Sequence, residues 1–231
     1  MNNDQRDNEF DPRARTREIR AEFAARGDVI GWFEALYTEA AGDNTKIPWG
    51  DLVPNPYLRA WAESTGLKGD GRKALVIGCG LGDDAKYLYD LGFKVTAFDV
   101  SPTAIEWAKR IHSDTDIKFE NANLFDPSRD WIGAFDFVLE VYTIQPLPLD
   151  LRPKVVDAIS AFVGDDGELL VVTRGREDDV EPDELPWPMS RKDLSRFESN
   201  GLVQTDFVQM PGEEDEPPRF VVTYRRNSMP E

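Results

Sequence analysis

Leu75-Val76-Ile77-Gly78-Cys79-Gly80-Leu81-Gly82-Asp83-Asp84 decides how this 231-residue chain is read. An apolar run of strand character passes into Gly-x-Gly-x-Gly, and a helical pattern follows. Glycines allow positive φ and let a ligand approach the backbone with no Cβ in the way. Amides at the start of the next helix then point at that ligand. A second stretch, Phe93-Lys94-Val95-Thr96-Ala97-Phe98-Asp99, reads as a strand ending in an acid. That acid stands about 20 residues past the first glycine, where nucleotide-binding α/β sheets hold a ribose. One carboxylate can accept two hydrogen bonds from a vicinal diol.

Outward from this pair the pattern is regular. Residues 73–77, 93–98, 117–120, 135–139 and 168–173 read as strands. Helical patterns fill 83–91, 102–112 and 152–163, with Ser101 as an N-cap and Pro102 at the first helical position. Strands alternating with helices imply right-handed crossovers and a parallel, doubly wound α/β sheet. The tail differs. Ser190 caps a helix to about Asn200, and 203–210 with 219–225 form an antiparallel hairpin at the sheet edge. The total is seven strands, mostly parallel, in a Rossmann-like arrangement. Upstream, helices are expected over 13–26, from about 29, and over 56–65, with a loop through 42–56. Residues 1–66 are therefore expected to form a helical lid segment of the same domain as a core over 67–231.

Composition narrows the ligand. Lys and Arg number 27 against 44 Asp and Glu, a net charge of −17, which opposes binding to a phosphate backbone. Six of the eight residues 177–184 and all four of 213–216 are acidic; they read as solvated loops, or as a mobile lid that repels anions. There is no apolar run of about 18 residues, so no membrane association is expected. The opening MNNDQRDNEF has no signal-peptide character, which points to a cytoplasmic setting. With Cys79 and His112 the single cysteine and histidine, a metal cluster built on those residue types is excluded and no metal is expected. A small molecule is the expected partner.

The residues also choose between nucleotides. A dinucleotide loop wants a glycine where this chain has Asp83, and a pyrophosphate would face Asp83 and Asp84 at the helix start. An adenosyl group joined to a zwitterionic amino acid carries no phosphate, and its ammonium tolerates a nearby acid. S-adenosylmethionine is favoured over NAD.

At this point the chain resembles the class I S-adenosylmethionine-dependent methyltransferases, most closely over residues 78–201. Phe119-Glu120-Asn121-Ala122-Asn123-Leu124-Phe125-Asp126 is similar to the segment after strand three, where a polar residue meets the adenine; Asn123 stands where the family commonly has Asp. Phe135-Asp136-Phe137-Val138-Leu139-Glu140-Val141 resembles strand four and the loop where methyl meets acceptor. Within the superfamily three features resemble the thiopurine, thiol, halide and tellurite methyltransferases. They are Ile47-Pro48-Trp49, the run Asp99-x-Ser101-Pro102-x-Ala104, and Pro186-Trp187-Pro188-Met189-Ser190. Where that group often has Asp-Tyr after strand four, this chain has Glu140-Val141-Tyr142.

The resemblance implies a cofactor site of Gly78, Cys79, Gly80, Gly82, Asp99, Val100, Ser101, Asn123, Leu124, Glu140 and Val141, covered by Trp49. Glu140 and Tyr142 are the catalytic candidates. Arg152, Arg174 and Arg176 are candidates for an anionic acceptor, and Trp32 for the cofactor cover. Cys79 reads as a small filler, and His112 as remote from the acceptor. A sulfonium methyl is already activated, so a soft nucleophile needs little base catalysis, whereas a hydroxyl usually needs a base. The absence of an obvious histidine base tilts the expectation towards a thiol-like acceptor. An oxygen- or nitrogen-directed methyltransferase and a non-catalytic cofactor-binding protein remain the alternatives.

Overall fold

The computed structural model describes residues 10–182, 185–212 and 216–228. The frayed start expected from the sequence and the acids Asp183, Glu184, Glu213, Glu214 and Asp215 lie outside the described residues, apart from Phe10, Asp11 and Pro12.

Seven strands form one sheet: β1 Lys73–Ile77, β2 Lys94–Asp99, β3 Lys118–Asn121, β4 Phe135–Val141, β5 Val163–Arg174, β6 Leu202–Met210 and β7 Arg219–Arg226. Their order is β3-β2-β1-β4-β5-β7-β6. The first five are parallel, and β7 runs antiparallel to both β5 and β6. The hairpin thus inserts its second strand beside β5 and leaves its first at the edge. Over residues 74–77, 137–139 and 169–172, β1, β4 and β5 are covered on both faces, which is why these stretches read as unbroken apolar runs rather than alternating ones.

Helices α1 Pro12–Ala24, α2 Gly31–Ala40, α3 Pro56–Thr65, α4 Asp83–Asp90, α5 Pro102–Ile111, α6 Arg152–Phe162 and the short α7 Arg191–Leu194 and α8 Arg196–Ser199 complete the fold. Ala74 and Val76 pack with Leu58 of α3, Leu88 of α4 and Ile105 of α5 on one face. Leu75 and Ile77 pack with Val155 and Ile159 of α6 and Phe197 of α8 on the other. The parity of one five-residue strand therefore sorts the two helical layers. A smaller cluster joins α1 and α2, through Ile19, Trp32 and Leu36, to Leu81 and Trp107.

Two details depart from the sequence reading. The strand read over 168–173 starts earlier, at Val163, and β5 is carried through a register shift opposite Phe135 and Phe137. The helix expected from Ser190 to Asn200 breaks into two four-residue pieces at Ser195. Among the described residues no helix is long and apolar enough to cross a membrane.

Candidate active site

The chain leaves β1 towards β2 and β3 on one side, then returns to β4 and β5 on the other. The carboxyl end of β1 is thus the point where open α/β sheets bind ligands. There Gly78, Gly80 and Gly82 adopt φ of 57°, 52° and 90°. Neighbouring side chains use the space that their missing Cβ atoms leave. A Cβ at position 78 would lie 2.6 Å from Thr143 Oγ1, and one at position 80 would lie 2.9 Å from the Tyr37 hydroxyl. The loop is closed by the Cys79 amide donating to Phe98 O at 2.9 Å and the Gly82 amide to Cys79 O at 2.9 Å. Cys79 packs towards the α4 layer, and burial pushes its thiol pKa up.

Asp99 ends β2 beside this loop and is 7% exposed. Its carboxylate accepts from Gly80 N at 3.0 Å and Ser101 N at 2.9 Å, so it staples the glycine loop to the next crossover. Burial raises its pKa, and these amides act in the opposite direction. Two bonds leave lone pairs for a diol. Asn121 donates to Asp99 O at 3.1 Å and Val100 O at 2.9 Å, fixing the same turn from β3. Beside it opens a cavity of about 440 Å³ lined by Val100, Asn121, Ala122, Asn123 and Trp131 among others. Asn123 Oδ1 accepts from Phe125 N at 2.9 Å, and Leu124 is buried in the core. A ribose at Asp99 would place a nucleobase towards this hollow; the cradle fits an adenosyl group.

The N-terminal helices reach the loop through aromatic and acidic side chains. Trp49 Nε1 donates to the Tyr37 hydroxyl at 2.8 Å, and that pair rests over Gly80. Trp49 is 41% exposed, whereas Trp32 is buried, stacked on Phe33, with its Nε1 left without a partner. Glu34 of α2 accepts from Ser101 Oγ at 2.6 Å, Thr103 Oγ1 at 2.7 Å and Thr103 N at 3.1 Å. A carboxylate is thereby docked on the amino end of α5, where the helix dipole favours it. His112 lies beneath the loop: its Nε2 is 3.0 Å from Leu81 O and its ring stacks on Phe119. Glu34, Tyr37 and Asn121 are thus positioning residues that sequence reading missed, whereas His112 packs under the loop, away from the acceptor side.

On the other side of β1, Glu140 pairs in register with Ile77 and is fully buried. Its Oε1 accepts from Thr143 N at 2.7 Å and Ile144 N at 3.0 Å, while Oε2 has no partner. Burial pushes its pKa up to about 7 against the pull of those two amides. The carboxylate organises a turn in which Tyr142 takes φ of 56°, uncommon for a bulky residue. Thr143 Oγ1 donates to Ile77 O at 3.0 Å and ties this turn to the glycine loop. The Tyr142 hydroxyl accepts from Arg219 Nε at 3.1 Å. Gln145, buried, accepts from Arg174 N at 2.9 Å and donates to Trp187 O at 3.2 Å.

The three candidate arginines part ways. Arg152 and Arg176 both point at Asp193 Oδ2, at 2.7 and 2.9 Å, and hold the Trp187–Pro188 segment and the described part of the acidic loop in place. They share that one carboxylate and give their remaining bonds to backbone carbonyls. Arg174 alone stays at the ligand edge of the sheet, beside Arg219.

Comparison with known proteins agrees with this geometry. A family profile described as "Methyltransferase domain" matches residues 52–204. A 2-heptyl-1-hydroxyquinolin-4(1H)-one methyltransferase of Mycobacteroides abscessus is 24% identical over 172 residues, 72% of this chain and 74% of that protein. A solved protein described by the conversion of a disulfide bond into a thioacetal group during echinomycin biosynthesis superposes with a TM-score of 0.68 at 21% identity, covering 85% of this chain and 91% of the other. The N-methyltransferase NodS of Bradyrhizobium japonicum, solved with S-adenosylhomocysteine, gives 0.62 at 18% identity over 83% and 96%. The chain belongs to the methyltransferase-domain family and is an S-adenosylmethionine-dependent methyltransferase of the class I fold.

Proposed function

We propose that this enzyme methylates a small-molecule acceptor seated over the carboxyl ends of β4 and β5, with a preference for a soft, thiol-like nucleophile. The observation that carries the reading is the short path from the glycine loop to Tyr142, bridged by Thr143 and held by Glu140. When bound, S-adenosylmethionine supplies a methyl group already activated on a sulfonium. Backbone at Gly78, Cys79, Gly80 and Gly82 cradles its amino-acid end, Asp99 and Ser101 hold the ribose side, and Val100, Asn123 and Leu124 flank the base. Glu140 and Val141 face the junction with the acceptor, and Trp49 covers the site. Tyr142 touches the acceptor, and Glu140 sets the turn that aims it. Alignment and exclusion of water then supply most of the rate.

Two features support the soft nucleophile. Glu140 Oε1 and the Tyr142 hydroxyl are already engaged in structural bonds, and His112 sits under the loop rather than at the acceptor edge. The relative acting on a disulfide and the resemblance to the thiol and thiopurine group point the same way. A second reading, an oxygen- or nitrogen-directed transferase, is favoured by the near-neutral pKa of Glu140 and by the hydroxyquinolone and N-methyltransferase relatives.

Turnover against matched thiols, halides, phenols and amines separates the two. Methylation of thiols, with phenols and amines inert, supports the first reading. Turnover confined to phenols or amines, and lost in Glu140→Gln, establishes the second. S-adenosylhomocysteine should raise the melting temperature, and NAD should not.

A further inference from the structure

Arg174 and Arg219 stand opposite each other in the β5–β7 register, at the sheet edge that carries the glycine loop. The Arg219 side chain is 8% exposed; besides Tyr142 it bonds the Pro217 carbonyl and pairs with Glu216. Arg174 reaches the same Glu216 carboxylate at 3.7 Å and keeps 24% of its side chain exposed. Two guanidiniums therefore share one carboxylate in a chain whose net charge is −17. The cluster is not a byproduct of a basic surface.

The other arginines named on the acceptor side are committed elsewhere in the fold. Arg152 and Arg176 share Asp193, and Arg20 lies over the Trp187 ring at 4.8 Å. Half-buried like charges repel unless an anion sits between them. Glu216 supplies one, through a side chain 28% exposed on the connection between β6 and β7. Its position shows which ligand the pair fits. A planar carboxylate bridges two guanidiniums, a geometry arginine favours.

We propose that Arg174 and Arg219 bind a carboxylate group of the methyl acceptor, and that Glu216 holds that place as an internal substitute which the acceptor displaces. The inference rests on the acceptor lying at the β4–β5 edge. It makes the acceptor an acidic small molecule, with Tyr142 between its anchored carboxylate and the reacting atom. Ligands lacking the carboxylate then compete poorly with Glu216.

The test is titration of benzoate, with benzyl alcohol as the neutral control, followed by calorimetry with and without saturating S-adenosylhomocysteine. Glu216→Gln should bind benzoate about tenfold more tightly than the wild type, and Arg174→Ala about tenfold more weakly. Arg219→Lys, which keeps the charge and spares folding, should also weaken benzoate by losing the planar fork. The melting-temperature shift with S-adenosylhomocysteine should persist in all three variants. Equal binding of benzoate and benzyl alcohol overturns the proposal. So does benzoate affinity unchanged in both arginine variants, or no measurable benzoate binding even to Glu216→Gln. Loss of S-adenosylhomocysteine binding in the wild type would instead sink the transferase reading, while the benzoate arm without it still decides the carboxylate site.

Discussion

The two halves of the ligand edge are built differently. On the β1–β2–β3 side the site presents backbone: a glycine loop closed by its own amides and stapled by the Asp99 carboxylate, which receives two more. On the β4–β5–β7 side it is side chain held by side chain, with partners such as Tyr142 and Arg219 lying 77 residues apart. The first half suits a ligand recognised largely through peptide groups, which vary little with sequence. The second can be rebuilt one side chain at a time, which is how one fold accepts many acceptors. Glu140 belongs to both. It pairs with β1 in the sheet and shapes the Tyr142 turn through two amides.

The strongest strain on this contrast comes from Asp193. Its Oδ2 receives Arg152, Arg176 and the Ser190 amide. Asp193→Ala leaves two largely buried guanidiniums unmatched and should cost about 3–5 kcal/mol in chemical denaturation. A loss under about 1 kcal/mol would mean that the acceptor side is not held by charge pairing.

Glu140 comes next, and its effect depends on pH. The folded pKa of about 7 lies above the ordinary 4.5, so the contribution is most favourable below 4.5 and is lost as pH rises through 7. Gln keeps an acceptor for Thr143 and Ile144 but cannot ionise. Relative to the wild type, Glu140→Gln should gain about 3 kcal/mol between pH 4.5 and pH 8. A stability difference that stays flat over that window would show that Glu140 does not titrate as a buried acid.

Asp99→Ala tests the backbone-built half. Affinity for S-adenosylhomocysteine should fall roughly a hundredfold and the thermal shift should vanish, since charged hydrogen bonds to the sugar are removed. An undiminished shift would mean that the ribose is held elsewhere. The smallest change is Tyr37→Phe. It removes the acceptor for Trp49 Nε1 and should cost about 1 kcal/mol or less in stability, because Trp49 can turn to water.

Much of the first half was legible in the chain. The strand–glycine–helix stretch and the acid after the second strand marked the switch point, and Ser101 with Pro102 behind it placed a helix start closely. The reason is range: apolar periodicity, capping and positive-φ glycines are properties of neighbours a few residues apart. Arg152, Arg174 and Arg176 show where that stops. All three follow or begin recognisable elements, yet nothing local says that two of them converge on Asp193 and the third on Glu216.

The order of residues alone determined the doubly wound sheet, its antiparallel tail and the positive-φ glycine loop at the end of the first strand. Tertiary structure alone decided what the glycines make room for, where the buried acid at position 140 spends its two oxygens, and which arginines remain available to a ligand. Local chemistry fixes how a segment is shaped. Charge matching and burial depend on what segments far apart along the chain bring to the same few ångströms.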